Sequence, residues 1–130
     1  AGTLPTIVYS GTYEGVTYSV SIIDIAKRPA EAVNLFEEAD YLLSLTGDVK
    51  ANEGLGVEPG ALRQYGRELM IDRPDGSRTI TSLMYQKGKI YMAQALIPKG
   101  GDRDAYGPQR FADSIVFALD GPLRDRDAQR

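Results

Sequence analysis

Asp102, Asp104 and Asp113 come nearest, by type and spacing, to metal chemistry. With Asp102 counted as the first position, Asp104 is third, Gly107 sixth and Asp113 twelfth. A calcium loop places oxygen ligands and its tight turn in this way. Three departures argue against it. Tyr106 stands at the fifth position in place of an oxygen ligand, Gln109 replaces the usual apolar anchor, and Lys99-Gly100-Gly101 takes the place of an incoming helix. The segment therefore reads as a solvated acidic loop, and neither a metal nor any other cofactor is expected.

Carboxylates elsewhere invite an acid/base reading. Glu37, Glu38 and Asp40 are close in sequence, but general acid catalysis needs one carboxyl desolvated so that its affinity for a proton rises. Helical spacing turns these three away from the apolar face. A carboxylate-based hydrolase is thus the third choice. Gly54-Leu55-Gly56 with Gly60 lacks the spacing of a dinucleotide loop and reads as a connector.

Two groups of residues suit recognition better. Glu68, Thr81 and Gln94 beside Tyr85, Met92 and Leu83 mix polar groups with apolar wall, as small-molecule sites do. Asp72, Arg73, Asp75 and Arg78 surround a single turn. Opposite charges across strands serve register and solubility; as a recognition patch, a charged hairpin tip standing off rigid strands suits contact with another protein.

Composition narrows the chemistry further. The 130 residues contain no Cys, His or Trp, which removes thiolate nucleophiles, imidazole acid/base pairs, disulfides and the usual zinc and copper ligands. A net charge of -3, from 15 basic and 18 acidic residues, supplies no overall positive field for nucleic acid. The apolar runs are far shorter than the ~20 residues of a membrane helix, so the chain is expected to be soluble. It begins Ala1-Gly2 rather than Met, which is read as a removed leader or a trimmed terminus. A periplasmic or secreted location is the first expectation and a cytoplasmic one the second.

The elements that must position these residues follow from periodicity. Ile7 to Tyr13, the Glu14-Gly15 turn and the alternation through Val16, Tyr18, Val20 and Ile22 predict a hairpin over 6–25. The adjacent Ile22-Ile23 predicts either a bulge or a strand end buried on both faces. From Pro29 the period becomes helical, with Ala32, Leu35, Phe36, Ala39, Leu42 and Leu43 on one face and Gly47 in a left-handed position past the end. Residues 48–60 read as a Gly-rich connection.

Strands follow over 62–73, 77–86 and 89–97, joined by Asp75-Gly76 and Lys87-Gly88 as two-residue turns. That register places Leu69, Ile71, Ile80, Ser82, Met84, Tyr91, Ala93 and Ala95 on one side, where Ser82, Ala93 and Ala95 form a trough for the long helix. The second side then carries the candidate ligand residues with Met70, Leu83, Ile90 and Leu96. A short helix from Pro108 brings Phe111, Ala112 and Ile115 inward.

The hairpin with its Tyr18-Ser19-Val20 strand, the long helix, the meander turning at Pro74-Asp75-Gly76 and the closing Arg110-Phe111-Ala112-Asp113-Ser114-Ile115 resemble small bacterial domains of unknown function. These are related to the photosystem II extrinsic protein PsbP. The strand Gly88-Lys89-Ile90-Tyr91 belongs to the same likeness, which covers residues 6–117. The resemblance implies an α/β/α sandwich about a central antiparallel sheet, used for binding and assembly, with no shared catalytic set.

The expectation is one α+β domain over 6–118, preceded by a linker over 1–5 and followed by a disordered polar tail over 119–130. In it a long helix packs on one face of an antiparallel sheet, with a short C-terminal helix besides. The expected function is a non-catalytic binding or assembly module whose partner is another protein. The alternative is a small-molecule-binding protein using Glu68, Thr81, Tyr85, Met92 and Gln94.

Overall fold

The computed structural model describes residues 5–26, 32–54, 65–86, 88–103 and 105–114. Strands β1 (Thr6–Tyr13), β2 (Val16–Asp24), β3 (Asp48–Gly54), β4 (Tyr65–Asp72), β5 (Arg78–Gln86) and β6 (Lys89–Ile97) form one sheet in the order β1-β2-β6-β5-β4-β3. Every neighbouring pair is antiparallel. Helix α1 (Ala32–Ser44) links β2 to β3, and a second helix, α2, occupies residues 106–114.

The expected α+β arrangement, an α/β/α sandwich with a long helix packed on the sheet, is overturned. The described residues form mostly a six-stranded antiparallel sheet, with two short helices. The PsbP-like framing of the architecture goes with it. Short helices suffice because the sheet supplies most of the core itself. Leu69, Ile71, Leu83, Tyr85 and Ile90 are buried on one face, where α1 adds only Leu35, Ala39 and Leu43. On the opposite face Ile80 and Ile97 meet Ala112 of α2. The side chains of Ala32 and Phe36 lie outside the described residues, as do Pro29 and residues 115–130.

The helices also lie on the faces opposite to those expected. The turn after β4 is a three-residue loop: Arg73 N–H donates to Ser77 O at 2.8 Å, and Gly76 N–H donates to Arg73 O at 3.0 Å, with Gly76 at φ 90°. A loop longer by one residue moves every β4 side chain to the other face. Leu69 and Ile71 consequently join Leu83, Tyr85, Ile90 and Met92 beneath α1. Glu68 and Met70 join Ser82 and Ile80, their register partners, beneath α2. The trough of Ser82, Ala93 and Ala95 lies on the α2 face.

Three smaller expectations change as well. β1 and β2 pair without a register shift from Thr6↔Ile23 to Tyr13↔Val16, so Ile22-Ile23 is not a bulge; both residues are half-buried, and Ile23 packs against the core beneath α1. Residues 48–54, read as connection, form an edge strand whose register shifts between Val49 and Ala51. Gly47 has no positive φ. Its role is close approach, because a Cβ there would stand 2.3 Å from Asp72 O.

Candidate functional site

The five candidate ligand residues divide between the two faces. Thr81, Tyr85, Met92 and Gln94 lie on the α1 face, while Glu68 lies on the α2 face, facing Ser82 across the strands. Thr81 is 1% exposed and Tyr85 is buried, so neither presents a surface. Met92 lines a cavity. This space, about 210 Å³ between α1 and the sheet, is lined by apolar side chains, including Leu35, Leu42 and Leu83, with Glu38 as its one charged group.

The charged hairpin is largely satisfied within itself. Arg78 donates from Nε to Asp72 Oδ1 at 2.6 Å and from Nη2 to Asp72 Oδ2 at 3.0 Å, a bidentate pair. The two side chains are only 14% and 17% exposed, and Arg103 adds a contact to Asp72 Oδ1 at 2.7 Å. These cations hold the Asp72 carboxyl below its ordinary range. Asp75 Oδ1 accepts from both N–H and Oγ–H of Ser77, at 2.9 and 2.5 Å, and its carboxyl is lowered too. The turn thereby uses Asp75 to hold its own shape.

Of the calcium-loop candidates, Asp104 lies outside the described residues. Asp113 is on α2, where Gln109 Nε2 bridges it, at 3.1 Å, to Glu68 Oε1, at 2.5 Å. Among the described residues no cluster of acidic groups is arranged to hold a metal ion. Burial, and then the neighbouring Asp113, push the Glu68 carboxyl up to about 7. A carboxyl pair of this kind can share a proton. Here it joins α2 to β4. Glu37 and Glu38 are exposed, and Asp40 accepts from Asn52 Nδ2 at 2.8 Å while Asn52 Oδ1 accepts from Arg67 at 3.0 Å. That relay ties α1 to β3 and β4.

Exposed apolar side chains gather at the end of α1, on Tyr41, Leu42 and Leu45, and along the edge strand β1. β1 is exposed at all eight of its residues, with Ile7, Val8, Tyr9 and Tyr13 all more than half accessible. Among the described residues no strand lies beyond it. Thr6 through Tyr13 carries no charge and no proline. The other edge, β3, is guarded by Asp48, Lys50 and Glu53 and by its register shift, the usual devices against edge pairing. Next to β1 on the α2 face runs an open groove of about 620 Å³, bounded by Gly11, Tyr13, Tyr18, Arg110, Phe111 and Ser114. The rings of Tyr18 and Phe111 meet edge to face at 4.8 Å there.

No helix among the described residues is long and apolar enough to cross a membrane. No family model matches the chain, and no curated protein matches its sequence. Among solved structures it is similar to PA94, a protein of unknown function from Pseudomonas aeruginosa. The two share 8% identity at a TM-score of 0.43, over 99% of this chain and 83% of that one. A likeness of that degree assigns neither fold nor function to this chain.

Proposed function

We propose that this domain is a non-catalytic module that acts through protein contacts, and that its contact edge is β1 rather than the charged hairpin. One observation carries this: the two edges of the sheet are treated oppositely, β3 charged and bulged, β1 uncharged and exposed along its whole length. An unguarded edge is a template for another strand. The Asp72–Arg78 pair, by contrast, is closed on itself.

Amide exchange of the isotopically labelled protein tests the reading, in buffer and in an extract of its source cells. With the protein kept too dilute for its copies to pair with one another, slowed exchange at Val8, Ser10 and Thr12 in the extract is the expected result. Unchanged exchange in both media would sink it.

The cavity under α1 favours a second reading, in which a small apolar molecule binds beside Met92 and Glu38. Its volume of about 210 Å³ falls below the roughly 300–1,000 Å³ of most ligand sites. This ranks the reading behind the first. A ligand that raises the melting temperature of the wild type but not of Ala39→Leu, which fills the space, would reverse the ranking.

A further inference from the structure

We propose that two copies of this chain join edge to edge through β1, antiparallel about a two-fold axis at Ser10, with Tyr9 of each entering the groove that begins at Gly11 of the other. The inference rests on the reading of β1 as the contact edge and names its occupant.

The backbone of β1 sets which groups point outward. Tyr13↔Val16 closes the two-residue turn, and Asp24 N–H donates to Pro5 O at 2.9 Å. Antiparallel bonding alternates, so Pro5, Ile7, Tyr9, Gly11 and Tyr13 bond towards β2. Val8, Ser10 and Thr12 turn their N–H and C=O groups away from it. An axis at Ser10 matches these groups, pairing Ser10 with its own copy and Val8 with the partner's Thr12. The same register sets Tyr9 opposite the partner's Gly11 and Ile7 opposite the partner's Tyr13.

Shape selects this axis over its neighbour at Tyr9. Tyr9 is 61% exposed and shares the α2 face with Gly11, while a Cβ built on Gly11 would meet nothing within 4 Å. A projecting ring thus faces an open mouth, twice across the two-fold. Beyond Gly11 the ring would meet Tyr18, Phe111 and Arg110, and the Arg110 guanidinium already lies 5.9 Å from the centre of the Tyr106 ring. A second aromatic face beside it is favourable. An axis at Tyr9 would oppose the two phenols and leave the groove empty.

Charge agrees with the choice. At a net charge of -3 two copies repel weakly, and the uncharged strand is the part of the surface where they approach at least cost. An axis at Ser10 also sets Glu14 opposite the partner's Thr6 rather than opposite the second Glu14. A strand pair with two seated tyrosines lies at the small end of specific interfaces. Dissociation is therefore expected in the micromolar range.

Sedimentation of the purified full chain, from ~1 μM to ~500 μM, should show a reversible monomer–dimer equilibrium. Ser10→Lys sets two ammonium groups against each other at the axis, and Gly11→Leu closes the groove mouth. Each should weaken the dimer by roughly tenfold or more, while the melting temperature at the lowest concentration stays unchanged. Because the chain has no native Cys, Ser10→Cys should cross-link to its own copy on oxidation. A wild type that stays monomeric throughout overturns the proposal, and a dimer in which Ser10→Cys fails to cross-link overturns the axis. In either case, exchange protection in the cell extract still decides separately whether β1 contacts some other protein.

Discussion

Gln109 on α2 donates through Nε2 to Glu68 on β4, a residue 41 positions earlier, and the same amide reaches Asp113. The contact ties the last described helix to β4, the strand next to the β3 edge, and burial leaves it sensitive to protons.

Glu68 has its carboxyl raised from 4.5 to about 7. The folded state therefore binds the Glu68 proton more tightly than the unfolded state does. This contribution is fully present below about pH 4.5 and is lost as pH rises through about 7. Asp72 and Asp75 behave oppositely: both are lowered from 3.8, so their stabilisation is present above that value and is lost as pH falls through their folded values. The windows do not overlap. Denaturation midpoints should decline between pH 5 and 7, and Glu68→Gln should flatten that decline while leaving the acid limb intact. A decline of unchanged slope in Glu68→Gln would assign it to another group.

Arg78→Ala removes both hydrogen bonds to Asp72, which keeps only its contact with Arg103. Because the pair is mostly covered, the loss should be about 1–2 kcal/mol, larger than the fraction of a kcal/mol typical of exposed ion pairs. Chemical denaturation measures it. A double-mutant cycle with Asp72→Ala should return most of the loss as coupling energy, and a coupling near zero would mean that the pair is not what stabilises the turn.

Elements with clear periods were readable from the residues alone: β1, β2, β5 and β6, the apolar stripe of α1, and the turns at Glu14-Gly15 and Gly88. β3 was not, because Asp-Val-Lys-Ala-Asn-Glu-Gly has no alternation of its own and is a strand only because β4 pairs with it. Choosing the faces failed at one residue. Pro74-Asp75-Gly76 permits either a two- or a three-residue turn, and that choice decides whether Leu69 faces α1 or α2. The candidate ligand group came apart with it. Glu68 left its neighbours for the opposite face, where it met Gln109 and Asp113, partners too distant in sequence for any local pattern to reveal. The exposure of β1 depends on strand order, which hairpin signals leave open.

Gly47 illustrates a constraint that its sequence position disguises. A residue shortly after a helix suggests a left-handed cap, yet its φ is not positive, and a Cβ would fall 2.3 Å from Asp72 O and 2.9 Å from Arg73 Cα. Both contacts are backbone, so no side chain can swing aside. Gly47→Ala should cost about 1–3 kcal/mol, as overpacking does. Loss of the Asp72–Arg78 pair in the same variant would show that the strain reaches the β4–β5 turn. A melting temperature unchanged by the substitution would mean that the close approach is absent in solution.

Thr81 and Ser82 occupy neighbouring positions on β5 and face opposite sides of the sheet, both almost completely buried. Among the described residues neither Thr81 Oγ1 nor Ser82 Oγ finds a hydrogen-bond partner. A buried hydroxyl without a partner forfeits its hydration and gains nothing in exchange. Thr81→Val keeps the branched shape against Leu69 while removing the oxygen, so it should raise stability by about 1 kcal/mol. Ser82→Ala should be neutral or slightly stabilising, because the methyl still fills its place beside Ala93. Thermal and chemical denaturation of both variants would measure the change. A loss of more than about 1 kcal/mol in Thr81→Val would show that its hydroxyl is bonded in solution.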